Sequence, residues 1–369
     1  MQEALDLAVR AGWRTHPNPR VGAVLVRGNR VVGRGYHQRP GGPHAEVLAL
    51  REAGARARGA TLYVTLEPCC HFGRTPPCTG AVLSAGVSRV VAAMRDPHPA
   101  VAGRGFRVLR SGKVRVEVGL LGEEARRLNE AFCRRVRDGR PWVILKSAVT
   151  LDGKIAAASG DSRWITSPKS RAHAHRLRDQ VDAVLVGIGT VLADDPRLTA
   201  RPGGRKGRDP ARVILDGGLR IPLKAKALND PSAARIIVAT TAKADPRRVE
   251  ALRGRGVEVW PLPSREGRVC LGPLLSELAR REITTLLVEG GGEVAGSFLR
   301  EGYVDRVAFY VAPLLVGGED APGPLRGRGA ARLADAWNLA GVSVTRLGPD
   351  FLVEGYVRPR GAIRKKRGA

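Results

Sequence analysis

Between His44 and Cys78 the chain gathers one imidazole, one carboxylate and two widely spaced thiols around a short strand, and this stretch limits what the first half can become. It reads His44-Ala45-Glu46, an apolar run at helical spacing (Val47, Leu48, Leu50), the strand Thr61-Leu62-Tyr63-Val64-Thr65, then Glu67-Pro68-Cys69 and, after eight intervening residues, Cys78. One histidine and two cysteines are zinc ligands, and three protein ligands leave the fourth tetrahedral position to water. The metal lowers the pKa of that water towards neutrality. Glu46 is then placed to carry protons. Residues two apart point to opposite sides of a helix, so His44 and Glu46 reach one site only if a helix begins here, end-on. Pro43 before and the apolar run after predict that start. Pro68-Cys69 follows a strand and predicts a second helix end, whose positive pole favours thiolate over thiol.

A histidine two residues before a glutamate, followed by Pro-Cys and a second cysteine, is the parts list of a zinc-dependent deaminase in which the glutamate is acid/base and not a ligand. The generic signature has two residues between the cysteines; here there are eight. A closed structural zinc site is the competing reading, because Cys70 and His71 are available as a fourth ligand.

At 369 residues the chain suits two cores better than one. Its sequence has no apolar run long enough for a membrane span and no basic-apolar leader at the N-terminus, so no membrane partner is expected. Three or four of its five cysteines fall in one metal-like cluster, which predicts a reducing, cytoplasmic location. The net charge of +27 invites a nucleic-acid reading, but it splits into +13 over residues 1–141 and +14 over 142–369. Only Arg364-Lys365-Lys366-Arg367 is a compact basic run. A spread charge suits phosphorylated small molecules, and no specific nucleic acid is expected.

In order along the chain, residues 1–11 have the pattern of an amphipathic helix, and Asn18-Pro19-Arg20 that of a loop. Val24–Arg27 and Arg30–Gly33 flank the hairpin signal Gly28-Asn29. A strand is expected at 89–93 and a polar helix over 123–137, with Leu128, Phe132 and Val136 on one face. Asp138-Gly139-Arg140-Pro141 is the expected boundary, giving domains 1–141 and 142–369 of α/β class. The second half alternates apolar strands (142–145, 183–186, 212–215, 236–239, 286–288) with helical stretches, which predicts a mainly parallel sheet. Its most telling junction runs from Leu286-Leu287-Val288-Glu289 into Gly290-Gly291-Gly292 and a helix, a geometry that brings backbone N–H groups to a phosphate. Gly290-x-Gly292-x-x-Ala295 formally matches a dinucleotide fingerprint, and a plain tight turn before a helix reads equally well. The turn comes late in the domain, and no acid ends the next strand, Arg306–Val311, to hold a ribose 2′-hydroxyl. That permits a 2′-phosphate, hence NADPH over NADH.

The segment Thr65-Leu66-Glu67-Pro68-Cys69-Cys70-His71-Phe72-Gly73-Arg74-Thr75-Pro76-Pro77-Cys78 closely resembles the deaminase half of the bifunctional riboflavin-pathway enzymes, a pyrimidine deaminase fused to a reductase. That family usually has Ser where Cys70 stands. Lys146-Ser147-Ala148-Val149-Thr150-Leu151-Asp152-Gly153-Lys154, Ser162-Arg163-Trp164-Ile165-Thr166-Ser167 and the stretch from Gly189-Thr190-Val191 to Leu198-Thr199-Ala200-Arg201 resemble the reductase half. The resemblance implies a cytidine-deaminase-like α/β/α domain followed by a dihydrofolate-reductase-like α/β domain, with one Zn2+ and NADPH as cofactors. It implies His44, Cys69 and Cys78 as metal ligands and Glu46 as the catalytic residue, with Asn18, His37, His71 and Arg74 holding the deaminase substrate. In the second half it implies that Ala148, Trp164, Thr190, Asp194, Gly217 and the run Gly291, Gly292, Glu293, Val294, Ala295, Gly296, Ser297 line the cofactor. Ser162, Arg178, Leu198, Arg201 and Glu289 would hold the reductase substrate, the arginines clamping its phosphate. Lys146, Asp152 and Lys154 would shape the hydride-transfer site; for the last two a β-turn with a surface charge is the blander alternative. The family also implies self-association.

These implications add up to two steps: zinc-dependent hydrolytic deamination of 2,5-diamino-6-(5-phosphoribosylamino)pyrimidin-4(3H)-one, then NADPH-dependent reduction of the ribosyl group of 5-amino-6-(5-phosphoribosylamino)uracil. The rival is a deaminase editing a base in RNA, with the second half as a basic nucleic-acid-binding domain. The diffuse charge and the 4% aromatic content speak against it, because single-stranded bases need stacking partners.

Overall fold

The computed structural model describes residues 1–73 and 75–358, and the chain divides into two compact units between Arg140 and Pro141. Arg74 and the basic run 364–367 lie outside the described residues.

The first unit is a five-stranded sheet in the order β2-β1-β3-β4-β5. Its elements are α1 (Gln2–Arg10), β1 (Gly22–Arg27), β2 (Arg30–Tyr36), α2 (Ala45–Ala53), β3 (Thr61–Val64), α3 (Cys78–Ser84), β4 (Arg89–Ala92), α4 (Arg104–Ser111), β5 (Arg115–Val118), α5 (Gly122–Leu128) and α6 (Glu130–Asp138). β1 pairs antiparallel with both β2 and β3, while β3, β4 and β5 run parallel. Gly28-Asn29 makes the expected hairpin turn. The four-residue repeat of Ala45, Ala49 and Ala53 gives α2 a face of buried methyl groups. That face rests on Gly35, where an added Cβ would come within 2.7 Å of the Ala49 nitrogen. Small residues on both sides let the helix lie close to the sheet and fix its first turn over the strand ends.

Two sequence expectations need correcting here. No helix opens at Pro68-Cys69; the first helix after β3 is α3, which starts at Cys78. Pro76-Pro77 explains the delay, because a proline drives its predecessor away from the helical region, and Pro77 itself is extended (φ −63, ψ 133). The helix expected over 123–137 is two helices broken at Asn129, whose side chain leaves the helical pattern to accept the Arg20 N–H at 2.8 Å.

The second unit carries a nine-stranded sheet in the order β10-β9-β8-β7-β13-β6-β14-β16-β15. Its strands are β6 (Trp142–Thr150), β7 (Ala183–Gly187), β8 (Ala211–Leu215), β9 (Ile236–Thr241), β10 (Glu258–Leu262), the small hairpin β11 (Ser264–Arg265) and β12 (Arg268–Val269), β13 (Thr285–Glu289), β14 (Arg306–Ala312), β15 (Leu339–Leu347) and β16 (Asp350–Val357). Helices α7 (Pro168–Asp179), α8 (Ile188–Asp194), α9 (Lys226–Asn229), α10 (Pro246–Arg253), α11 (Leu271–Arg280) and α12 (Gly292–Arg300) join them. The five expected apolar strands are β6, β7, β8, β9 and β13; β13 lies parallel between β7 and β6. The core side of these strands packs Val143, Leu185, Val213, Ile237 and Leu286 against Leu274, Leu278 and Phe298 of α11 and α12. One edge is antiparallel, through β16 against β14 and β15. Among the described residues no helix is long and apolar enough to cross a membrane.

Candidate active sites

In the first unit two helix beginnings converge. His44 is the N-cap of α2 and Cys78 the first residue of α3, while Cys69 follows β3 in an irregular segment. His44 Nδ1 lies 3.1 Å from Cys78 Sγ and 3.5 Å from Cys69 Sγ, and these three atoms fall within 4.8 Å of one another. His44 Nε2 lies 3.3 Å from Thr75 Oγ1, so Thr75 can fix the ring while Nδ1 faces the thiols. The Cys78 N–H, at the start of its helix, points to Cys69 Sγ at 3.3 Å. Hydrogen bonds from Cys78 and His44 hold the Cys69 thiol down to about 4, and that same neighbour pushes the Cys78 thiol up. One nitrogen and two sulfurs, one already a thiolate, is a donor set that fits zinc.

The four-ligand alternative is not assembled. Cys70 Sγ turns to the Ala100 carbonyl at 3.8 Å, and the His71 ring stacks on His98 with centroids 6.0 Å apart. Among the described residues the cluster is His44, Cys69 and Cys78. Glu46, in the first turn of α2, is 4% exposed. Burial, together with the charge on Cys69, pushes its carboxyl up to about 7.

Asn18 and His37 meet beside this cluster. His37 Nδ1 lies 3.2 Å from the Pro43 carbonyl, which only accepts, so Nδ1 carries the proton. Burial lowers the His37 pKa, which keeps the ring neutral and makes Nε2 an acceptor for Asn18 Nδ2 at 3.1 Å. The tautomer thereby fixes which way the Asn18 amide points. The His37 ring stands edge-on to His44 at 5.3 Å. Sequence reasoning missed Glu67, whose buried carboxylate accepts N–H groups from Asp96 (3.1 Å), Gly103 (2.9 Å) and Phe106 (3.3 Å). Its position two residues before Cys69 was the available signal.

The second unit has its own cluster at the C-terminal ends of parallel strands. Sheet register pairs Glu289 of β13 with Lys146 of β6. Ser167 caps α7 by accepting the Ser170 N–H, and Pro168 follows at its first position. The helix then carries Arg178 to Glu289, with Nε and Nη2 both 2.7 Å from its carboxylate oxygens. Lys146 Nζ stands 3.7 Å away. Burial would raise the Glu289 pKa, but Arg178 and Lys146 outweigh it and hold the carboxyl down to about 2. For Lys146 burial wins over Glu289, and its pKa falls.

Arg178 also donates through Nη1 to the Thr199 carbonyl at 3.2 Å. Its fork here serves Glu289, itself one of the residues expected to hold the substrate. Arg201 is exposed and donates to Thr199 Oγ1 at 2.7 Å, and its N–H lies 3.2 Å from His175 Nδ1. His175 was missed, although it stands one helical turn before Arg178. Burial, Arg178 and Arg201 bring its pKa down to about 4, so it accepts as the neutral ring. Leu198 is buried with φ +57, a left-handed conformation that a leucine adopts only where its surroundings demand it.

The glycine turn lies beside α8. Thr190 Oγ1 accepts the Gly291 N–H at 3.1 Å, and Gly290, at φ +132, leaves no room for a side chain against that hydroxyl. Gly291 caps α12 and Gly292 begins it. Glu293 and Ser297 are on the exposed side of the helix, while Ala295 and Gly296 are packed. Gly296 faces the Arg326 carbonyl, and Val294 would meet any side chain at Gly187. Asp194, at the end of α8, accepts from Ser162 at 3.4 Å. Gly217, after β8, gives its carbonyl to the Thr240 and Thr241 hydroxyls and packs on Gly267. Ala148 lies on β6 opposite Tyr310, and Trp164 is 69% exposed under the Arg171 guanidinium. Asp152 and Lys154 are turned instead to the backbone of residues 316–321.

Residues 1–94 match the cytidine and deoxycytidylate deaminase zinc-binding region, and residues 141–353 match the RibD C-terminal domain. The riboflavin biosynthesis protein RibD of Aquifex aeolicus is 45% identical over 353 residues, covering 96% of each chain. This chain belongs to the RibD family. RibD of Escherichia coli is 42% identical, over 95% of this chain and 96% of that protein. A solved RibD structure from Acinetobacter baumannii superposes with a TM-score of 0.86 at 38% identity, covering 97% of this chain and 98% of the other. A Thermotoga maritima structure described as a diaminohydroxyphosphoribosylaminopyrimidine deaminase/5-amino-6-(5-phosphoribosylamino)uracil reductase reaches 0.82 at 38% identity, over 97% of both chains. With residues 141–353 matching the RibD C-terminal domain, the rival in which that half is a nucleic-acid-binding module is not supported.

Proposed function

We propose that this RibD-family chain carries out two consecutive reactions of the riboflavin pathway. In the first, water replaces the ring amino group of 2,5-diamino-6-(5-phosphoribosylamino)pyrimidin-4(3H)-one and ammonia leaves. In the second, hydride from NADPH and a proton convert the ribosyl group of 5-amino-6-(5-phosphoribosylamino)uracil to ribityl. The observation that carries the first is the convergence of His44 Nδ1 and the Cys69 and Cys78 sulfurs beside the buried Glu46.

Zinc, when bound, supplies a Lewis acid that lowers the pKa of a coordinated water. His44, Cys69 and Cys78 would hold it, and Thr75 keeps the imidazole in orientation. Glu46 takes up a proton from the attacking water and returns it to the departing nitrogen, a transfer that its place at the head of α2 allows. Asn18, oriented through His37, reads the pyrimidine edge, with His71 on the side of the phosphoribosyl group.

NADPH, when bound, supplies the hydride. Gly292 and Glu293, the first residues of α12, would present backbone N–H groups to its diphosphate, with Gly291 at the cap and Thr190, which takes the Gly291 N–H, bracing the turn. Glu289 ends β13 beside Lys146 in the middle of β6, where the open sugar would lie, and Arg201 offers its guanidinium to the substrate phosphate. Self-association is part of this reading. It is supported by apolar side chains exposed on the β15–β16 hairpin, with Val342 53%, Val344 61% and Phe351 42% accessible.

The deciding experiment separates the two reactions. Purified protein should contain about one zinc per chain. With the diaminopyrimidine phosphate it should release ammonia without NADPH, and on NADPH addition absorbance at 340 nm should fall. Glu46→Gln should abolish ammonia release yet oxidise NADPH when given the deaminated substrate. Zinc-free active protein, or loss of both activities in Glu46→Gln, would refute the assignment.

A further inference from the structure

Residues 314–326 form an irregular strap between β14 and β15, tied down at both ends. The first tie is to the turn after β6. The Leu151 N–H donates to the Leu314 carbonyl at 2.8 Å and the Ile155 N–H to the Pro322 carbonyl at 2.9 Å. Between these, the Asp152 carboxylate accepts the Val316 N–H at 3.2 Å and the Gly317 N–H at 2.7 Å, while Thr150 Oγ1 donates to it at 2.5 Å. Lys154 Nζ donates to the Gly318 carbonyl at 2.7 Å and the Ala321 carbonyl at 3.0 Å. The acid thus takes up two N–H groups of the strap and the base two of its carbonyls. These bonds hold the Asp152 carboxyl down to about 2.

The second tie is to the glycine turn. The Arg326 N–H donates to the Gly292 carbonyl at 2.9 Å. A Cβ on Gly292 would stand 2.5 Å from the Gly323 carbonyl, and one on Gly296 would collide with the Arg326 carbonyl. Arg300 Nη1 secures that same carbonyl at 2.7 Å. The first turn of α12 is therefore backed by the strap itself, by the Gly323 and Arg326 carbonyls and the Arg326 stem, so a displacement of the strap displaces the helix start.

We propose that Asp152 and Lys154 are positioning residues for the reduction: by clamping the strap they set the place of Gly291 and Gly292, and through them the affinity for the dinucleotide. This rests on the reading that the glycine turn holds the cofactor diphosphate. Neither side chain touches substrate or cofactor in this account. An ordinary turn with surface charges, the alternative for these two residues, would leave cofactor binding unchanged when they are replaced.

The test uses the full-length zinc-loaded chain and titrates NADPH by nicotinamide fluorescence. Asp152→Ala and Lys154→Met should each raise the NADPH Kd about tenfold, as expected when charge-assisted hydrogen bonds to the strap are removed. KM for NADPH should follow, with kcat changed far less and ammonia release unaltered. Asp152→Asn, which keeps one acceptor, should fall between Asp152→Ala and the parent, and it carries the test if the alanine variant does not fold. Amide exchange should quicken at Gly291 and Gly292 as well as at Val316 and Gly317. Gly291→Val is the control for the underlying reading, because its Cβ meets nothing closer than 3.8 Å in the protein yet fills the cradle. If Gly291→Val still binds NADPH, the cradle reading falls. If Gly291→Val loses binding while Asp152→Asn and Lys154→Met bind like the parent, the clamp alone is overturned.

Discussion

Replacing Arg178 by Met removes both hydrogen bonds that neutralise Glu289 and leaves Lys146, at 3.7 Å, as its nearest cation. The size of the loss can be reached in two ways. Against the burial that would raise it, Arg178 first and Lys146 second hold Glu289 from its ordinary 4.5 down to about 2, a net effect of about 3 kcal/mol that sets the scale of what Arg178 supplies. Stripping one partner from a buried ion pair costs about 3–5 kcal/mol, which agrees. For a domain of this size that lowers the melting temperature by about 6–12 °C. The pH sign follows from the direction of the shift. A depressed carboxyl contributes stability that is fully present above its ordinary pKa and is lost as pH falls from there towards about 2. In the parent, the second unit should therefore lose about 3 kcal/mol between pH 5 and pH 2 through this group. Glu289→Gln should lack that component. Differential scanning calorimetry at pH 7 and again between about pH 3 and pH 2 reads both effects, with the transition of the second unit identified by its upward shift in NADPH. Melting of Arg178→Met within about 2 °C of the parent at pH 7 would sink the reasoning.

Two further outcomes concern other parts of the molecule. Glu67→Ala deprives three N–H groups of their acceptor at about 1–3 kcal/mol each, so thermal melts should show the first unit losing several degrees or failing to fold, with NADPH binding retained. Val344→Glu places a charge on the exposed face of β15 and should shift the mass seen by light scattering towards the single chain; a parent already monomeric at about 50 μM would contradict self-association.

The metal cluster was legible because its chemistry rests on residue types at fixed places in the chain. Two helix starts bring His44 and Cys78 together, and only the position of the second start was misjudged, through neglect of Pro76-Pro77. Buried parallel strands were legible for a similar reason: Val184, Leu185, Val213 and Ile237 face apolar surroundings on both sides, so their segments read as continuous apolar runs. The β15–β16 hairpin escaped notice because β15 is exposed almost throughout and its side chains are mixed. Nor could the sequence say that Arg178 faces Glu289. That contact joins residues 111 apart, and arginine spacing says nothing about which anion a guanidinium meets. Asp152 and Lys154 were visible as a motif, but what they hold lies more than 160 residues downstream.

The grip of Glu67 on residues 96–106 is made entirely through main-chain amides, which has a consequence for how this loop can vary. Side chains at Asp96 and Phe106 contribute nothing to those bonds, so they can be exchanged as far as their own packing permits, while Gly103 is held to glycine by its φ of +89. Proline alone is barred from all three positions, because it brings no N–H. The loop that meets Cys70 and His71 through Ala100 and His98 can therefore change its side chains over generations while its main chain keeps one course.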